Sequence, residues 1–126
     1  MASKGKVLIV DDDPRNIFAL KETLDSRGYT CLSCLDAKDA VEMASDPSIG
    51  IVLMDMMMPG MDGYEAIPAI KNARLNLPVI SVTAQAMIGD REKCLSAGAD
   101  DYISKPIDVD KLLTVIAKFI KTENDQ

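Results

Sequence analysis

Lys6-Val7-Leu8-Ile9-Val10-Asp11-Asp12-Asp13-Pro14 sets four apolar residues directly before three carboxylates and a proline. A short Val/Ile-rich run without polar alternation suits a strand covered on both faces, as in a parallel sheet. Asp13-Pro14 reads as a helix start, with a side-chain acceptor at the N-cap and proline at the first helical position. Ile17, Leu20 and Leu24 then recur at helical spacing, and Gly28 ends the segment. One unit of strand, acidic turn and helix is complete by Gly28.

The rest of the chain repeats that unit. Further strand-like runs occupy 29–34, 49–54, 78–82 and 101–104. Asp36 opens a second helix with Ala37, Ala40, Val41 and Ala44. Asp62-Gly63-Tyr64-Glu65 resembles a capping box for a third, with Asp in place of Ser or Thr. Pro68 falls inside that helix near its first turn, where a kink is expected rather than a break. Asp90 opens a fourth helix, closed by Gly98. Asp108 opens a fifth, with Val109, Leu112, Leu113, Ile116 and Ile120 on one stripe. The order is βαβαβαβαβα. Right-handed crossovers make it an α/β fold, an open, doubly wound, five-stranded parallel sheet with helices on both faces. Ligands of such sheets bind beyond the carboxyl ends of the strands.

Bulk properties narrow the field. The 126 residues suffice for one domain, read as 1–126 with a core over about 5–121 and short polar termini. An apolar fraction of 48% supports a real core. The net charge of -6, with Lys and Arg scattered singly, argues against direct nucleic-acid binding. No apolar run approaches the roughly 20 residues of a membrane span, and the first residues lack a signal-peptide pattern. No membrane insertion and a cytoplasmic location are the expectation. Cys31-x-x-Cys34 looks like a redox or zinc motif. On a strand, however, residues three apart face opposite ways, and the chain has no histidine to complete a zinc site. With Cys94, these thiols read as apolar filler.

The chemistry lies just past the carboxyl end of each strand. After the first come Asp11, Asp12 and Asp13; after the third, Asp55; after the fourth, Thr83 and Ala84; after the fifth, Lys105 and Pro106. If these strands are neighbours, carboxylates, a hydroxyl and an ammonium meet on one edge, with Asp13 spent as the helix cap. Crowded carboxylates repel unless a cation intervenes. Mg2+ suits them, being a hard cation content with one or two carboxylates plus waters. A carboxylate beside Mg2+ can attack phosphorus and form an acyl phosphate. The metal, Lys105 and Thr83 would share the phosphoryl oxygens. Singly, each aspartate is an ordinary turn-former; together, at matching strand ends, they are not.

The motifs Val-Leu-Ile-Val-Asp-Asp-Asp, Leu-Met-Asp-Met-Met-Met-Pro-Gly-Met-Asp-Gly, Val-Thr-Ala and Tyr-Ile-Ser-Lys-Pro closely resemble the response-regulator receiver domain of two-component signalling, over nearly the whole chain. The resemblance implies the flavodoxin-like strand order 2-1-3-4-5. It implies Asp55 as phosphoacceptor. Asp12, Asp55 and the backbone carbonyl of Met57 would ligate Mg2+ directly, with Mn2+ a possible substitute and Asp11 acting through a bound water. Thr83 and Lys105 would contact the phosphoryl group, with Ala84 beside them. Tyr102 would swing inward as Thr83 moves, and Lys105-Pro106 would be a cis peptide. The phosphoryl source would be a phosphohistidine on a histidine kinase or phosphotransfer protein. Phe18, well off the buried stripe of the first helix, and Ala19 would meet that donor; a half-buried flank position is the alternative for Phe18. Val115 and Phe119, off the stripe of the fifth helix, would line the output face read by a downstream protein.

Asp-Asp-Asp-Pro-Arg-Asn and Asp-Arg-Glu-Lys-Cys-Leu-Ser-Ala-Gly-Ala-Asp-Asp-Tyr resemble receivers attached to hybrid sensor kinases, though free-standing regulators share them. No output domain is expected after the fifth helix. Met57 departs from the polar side chain many relatives carry there. Met54, Met56, Met57, Met58 and Met61 otherwise read as adaptable packing. An aspartate-nucleophile phosphatase of the haloacid dehalogenase type is the main rival, a true enzyme. Its Asp-x-Asp-x-Thr follows the first strand, and here Arg15 stands where that Thr belongs. A degenerate receiver serving as a scaffold finds no support, since every acidic and switch position is filled. A nucleotide-binding domain lacks both glycine-rich phosphate loops. The chain therefore reads as a switch and not a dedicated enzyme.

Overall fold

A computed structural model describes residues 5–58, 60, 63–84 and 90–120. Five strands, β1 (Lys6–Val10), β2 (Cys31–Cys34), β3 (Ile49–Asp55), β4 (Val79–Thr83) and β5 (Asp101–Ser104), alternate with five helices. The helices are α1 (Pro14–Asp25), α2 (Ala37–Met43), α3 (Gly63–Ala73), α4 (Asp90–Ser96) and α5 (Val109–Ala117). All pairings are parallel, in the order β2-β1-β3-β4-β5.

Local chemistry explains the boundaries. Asp13, Asp36 and Asp108 are extended N-cap residues whose carboxylates accept backbone N–H groups of the first turns of α1, α2 and α5. Gly28 and Gly98 take positive φ, 91° and 115°, just past α1 and α4. Strand β2 is shorter than the apolar run suggested. Tyr29 donates its N–H to Leu24 O, closing the end of α1, so pairing with β1 begins at Cys31. Strands β3 and β4 each run one residue further, through Asp55 and Thr83. Helix α3 continues through Pro68, which is exposed. The proposed cap at Asp62, the packing role of Met61 and the side chain of Asp90 lie outside the described residues.

The sheet separates two cores. Under α1 and α5 lie Val7, Ile9, Ile51, Leu53, Ile80, Val82 and Ile103, joined by Ile17, Leu24, Leu112 and Ile116. Under α2, α3 and α4 lie Leu8, Val10, Val52, Met54 and Met56 with alanines of α2 and α3. Cys31 falls in the first core and Cys34 in the second, as alternation requires, and burial pushes both thiols up to about 11. They are therefore poor nucleophiles at neutral pH.

The stripe of α5 differs from the expected one. Leu112, Val115 and Ile116 are buried and Val109 is 36% exposed. Val115 stands three residues after Leu112, so the i, i+3, i+4 pattern carries it into the core rather than off it.

Candidate functional site

Parallel strands all end on one edge, and that edge gathers the polar residues. Register places Val10 beside Met54, Asp55 beside Val82 and Thr83 beside Ser104. The residues directly after β1 and β5 are thus delivered to the end of β3. Asp11 and Asp55 are both 5% exposed, while Asp12 is exposed. One carboxylate oxygen from each of the three lies within 4.8 Å of the others.

Asp11 and Asp55 are held by backbone N–H groups and neighbouring side chains. Asp11 Oδ1 accepts the Asp13 N–H at 2.9 Å, and Asp55 Oδ1 accepts the Met57 N–H at 3.1 Å. Lys105 Nζ stands 3.5 Å from Asp55 Oδ2 and 3.8 Å from Asp11 Oδ2. The Lys105 backbone N–H donates to Thr83 O at 2.8 Å, and the Lys105–Pro106 peptide is cis. Asp13 turns away as the cap of α1, where the Arg15 guanidinium beside it holds its carboxyl below the ordinary value.

Burial pushes the Asp55 carboxyl above its ordinary value. The Met57 N–H and Lys105 pull it down, and Asp11 and Asp12 push it up again. Three carboxylates face one ammonium, so the cluster lacks positive charge. Three convergent hard oxygens suit a divalent ion such as Mg2+, whose bonds to oxygen are about 2.1 Å. The residues present therefore fit that ion.

The remaining predicted residues fall around this cluster. Thr83 is buried at the end of β4, and Ala84 is exposed after it. The Met57 side chain is 54% exposed beside Asp55. Tyr102 is half-buried against the methionine-containing core. Phe18, at 67%, and Ala19 are exposed on α1, so Phe18 is not a flank residue of the core. Phe119 is half-buried, whereas Val115 is a core residue and not an exposed partner contact.

Asn16 was missed by sequence reasoning. Its Nδ2 donates to Asp11 Oδ2 at 3.4 Å. The signal was its place on the first turn of α1, directly after the acidic cluster. A cavity of about 320 Å³ also opens beside the site, between Ala19, Leu20 and Thr23 of α1 and Pro106, Ile107 and Val109 after β5.

Comparison with known proteins bears on this arrangement. Residues 7–117 match the response regulator receiver domain family. The chain is 41% identical over 113 residues to the sensor histidine kinase RcsC of Salmonella typhi, which covers 90% of this chain and 12% of that protein. It is 34% identical over 107 residues to the transcriptional regulatory protein TcrA of Mycobacterium tuberculosis, covering 85% of this chain and 42% of that one. The receiver domain of sensor histidine kinase PA1611 from Pseudomonas aeruginosa, solved with a magnesium ion in its active site cleft, superposes with a TM-score of 0.83. Its identity is 34%, with 91% of this chain and 96% of that chain covered. A chain of the CheX–CheY–BeF3–Mg2+ complex from Borrelia burgdorferi gives a TM-score of 0.85 at 33% identity, covering 93% of this chain and 90% of that one. The chain spans a small part of the sensor kinases it matches. The match runs from β1 to the end of α5 and leaves no element of the sheet unaccounted for: the chain belongs to the response-regulator receiver domains of two-component phosphorelay signalling.

Proposed function

We propose that Asp55 is the phosphoacceptor and that this domain takes its phosphoryl group from a phosphohistidine on a histidine kinase or phosphotransfer protein. The observation that carries the reading is a buried carboxylate at the sheet edge, 3.5 Å from Lys105 and inside a carboxylate cluster short of positive charge. Asp12, Asp55 and the Met57 carbonyl would hold Mg2+, with Asp11 behind them, and Mn2+ would substitute. The ion supplies charge neutralisation, letting an anionic phosphoryl group approach.

The chain's own groups do the rest. The Met57 N–H fixes one Asp55 oxygen and leaves the other to attack. A bond forms between that oxygen and phosphorus. The phosphorus–nitrogen bond of the donor breaks, and its electron pair leaves with the imidazole. Lys105 and the Thr83 hydroxyl bind the transferred oxygens, with Ala84 at the same turn. Drawing Thr83 toward the phosphoryl group lets Tyr102 turn inward, and the α4–β5–α5 face rearranges for a downstream protein. Phe119 belongs to that face. Phe18 and Ala19 meet the donor beside the cavity under α1.

The domain is a switch that assists its own phosphorylation, not a dedicated enzyme. Among the described residues no helix is long and apolar enough to cross a membrane. We place the domain in the cytoplasm as one folded unit, without a basic face for nucleic acid. Acetyl phosphate or a phosphohistidine donor should label the wild type only with Mg2+ or Mn2+, and the Asp55→Asn variant not at all. Undiminished labelling of that variant would remove the central assignment.

A further inference from the structure

Strand β4 carries a polar side chain that the phosphoryl chemistry leaves unused. Ser81 is fully buried, and its Oγ is, among the described residues, the one buried side-chain oxygen without a hydrogen-bond partner. Leaving a hydroxyl in that condition costs folding free energy that an alanine at the same position would not. Such a group calls for a reason.

Its neighbours suggest one. Side chains alternate along a strand, so Ser81 shares a face with Val79 and Thr83. In register it pairs with Met54 on β3 and with Tyr102 on β5. Ser81 therefore sits one step below Thr83 and directly beside Tyr102, on the face whose core includes Met54 and Cys94 of α4.

We propose that Ser81 is a positioning residue of the switch, its hydroxyl unsatisfied in the present conformation and gaining the face of the Tyr102 ring once that ring turns inward. The proposal rests on the roles assigned to Thr83 and Tyr102 under the proposed function. A serine is small, so a ring rotating over β4 meets no bulky side chain at this step. Neighbouring strands lie about 4.8 Å apart, which brings an inward ring across the adjacent side chain. A hydroxyl aimed at an aromatic face makes a weak hydrogen bond, better than none in a dry layer. Ser81 thus penalises the present arrangement and relieves the penalty in the activated one. A group that stabilises two states unequally shifts their populations by that difference.

The test compares wild type, Ser81→Ala and Ser81→Cys. In denaturant titrations without metal or phosphate analogue, the alanine variant is expected to unfold at higher denaturant than wild type. With saturating Mg2+ it should need about three- to tenfold more beryllofluoride to half-convert the NMR signals of Tyr102 and α5. Cysteine keeps a weak donor and should fall between. An alanine variant less stable than wild type would show that the hydroxyl is already paired, overturning the proposal. An unshifted beryllofluoride midpoint against a responding wild type would overturn it alone. If the Tyr102 signals of the wild type do not respond at all, the parent reading fails and takes this proposal with it.

Discussion

Replacing Asp55 with asparagine is expected to stabilise the domain in metal-free buffer at neutral pH. Asp55 is 5% exposed, so its charge is held largely away from water. Carboxylate oxygens of Asp11 and Asp12 lie within 4.8 Å, and each such like-charge pair costs about 3.5 kcal/mol at an effective dielectric of about 20. Lys105 at 3.5 Å offsets about 4.7 kcal/mol on the same scale. Asp12 is exposed and Lys105 is 28% exposed, so water weakens both contributions. The pair interactions then stay net repulsive, because the buried Asp11 pair is the least screened, and the cost of burying the carboxylate adds to them. Asparagine keeps an oxygen for the Met57 N–H and carries no charge. The expected gain is about 1–2 kcal/mol, or about 4–8 °C in Tm for a chain of this size. The pH dependence is set by the raised pKa of Asp55. The folded state favours its protonated form, so the wild type's deficit is full at neutral pH. It closes as pH falls toward the ordinary aspartate value of about 3.9. Mg2+ should raise the wild-type Tm more than that of the variant, because the ion binds the ionised cluster. Thermal unfolding followed by circular dichroism, with EDTA or with Mg2+, measures all three effects. A variant no more stable than wild type in EDTA would refute the reasoning, showing that Lys105 and the Met57 N–H more than compensate the charge.

Lys105→Arg keeps the charge but replaces a point ammonium with a planar fork; labelling by acetyl phosphate, or the conformational response to it, should fall about tenfold while Tm stays within about 2 °C. Wild-type behaviour in both assays would reduce Lys105 to a surface cation. Phe18→Ala alters an exposed side chain, so stability should change by less than about 0.5 kcal/mol. Phosphotransfer from a protein donor should slow at least about fivefold and labelling by acetyl phosphate not at all; equal slowing with both would mean a folding defect. Arg74 Nη1 donates to the carbonyl oxygens of Ala44, Asp46 and Ile49, at 3.1, 2.9 and 2.9 Å. Arg74→Ala should therefore cost about 2 kcal/mol in urea unfolding, leaving Mg2+-dependent labelling at Asp55 intact.

The legible part of this chain is the part fixed by local chemistry. Asp13, Asp36 and Asp108 cap helices because a short carboxylate accepts first-turn N–H groups whatever the tertiary context. The continuous apolar runs of β1, β3 and β4 mark strands covered on both faces, and their common polarity sends Asp11, Asp55 and Thr83 to one edge. What local chemistry left open was decided between elements. The start of β2 depended on Tyr29 closing α1 rather than pairing with β1. The stripe of α5 depended on which flank meets the sheet, and that rotation buried Val115 and released Val109. Asn16 joins the site through its side-chain hydrogen bond back to Asp11, which its place on the first turn of α1 permits but does not require. Periodicity puts Val115 near Leu112 but does not say which flank of α5 meets the sheet, and it carries no information on the Tyr29 or Asn16 contacts.

The two cores differ in how readily they repack around the edge that carries Asp55. The α1/α5 side is packed mainly with Ile, Val and Leu, from β1, β3, β4 and β5, side chains with few rotamers and close interdigitation. The opposite side has Leu, Ile and Val too, but mixes them with alanines and with Met54, Met56 and Met58, and α4 commits Cys94 to it. Methionine repacks at low cost, and alanine offers little area to lose. The proposed shift of Thr83 toward Asp55 would therefore meet a more adaptable layer on the α4 side than on the α1 side. On the proposed function, α1 would keep its shape for docking, while the displacement would pass to α4 and Tyr102 and through β5 to α5. Asymmetry of packing, set by which residues alternate along β3 and β4, would then give the proposed switch its direction.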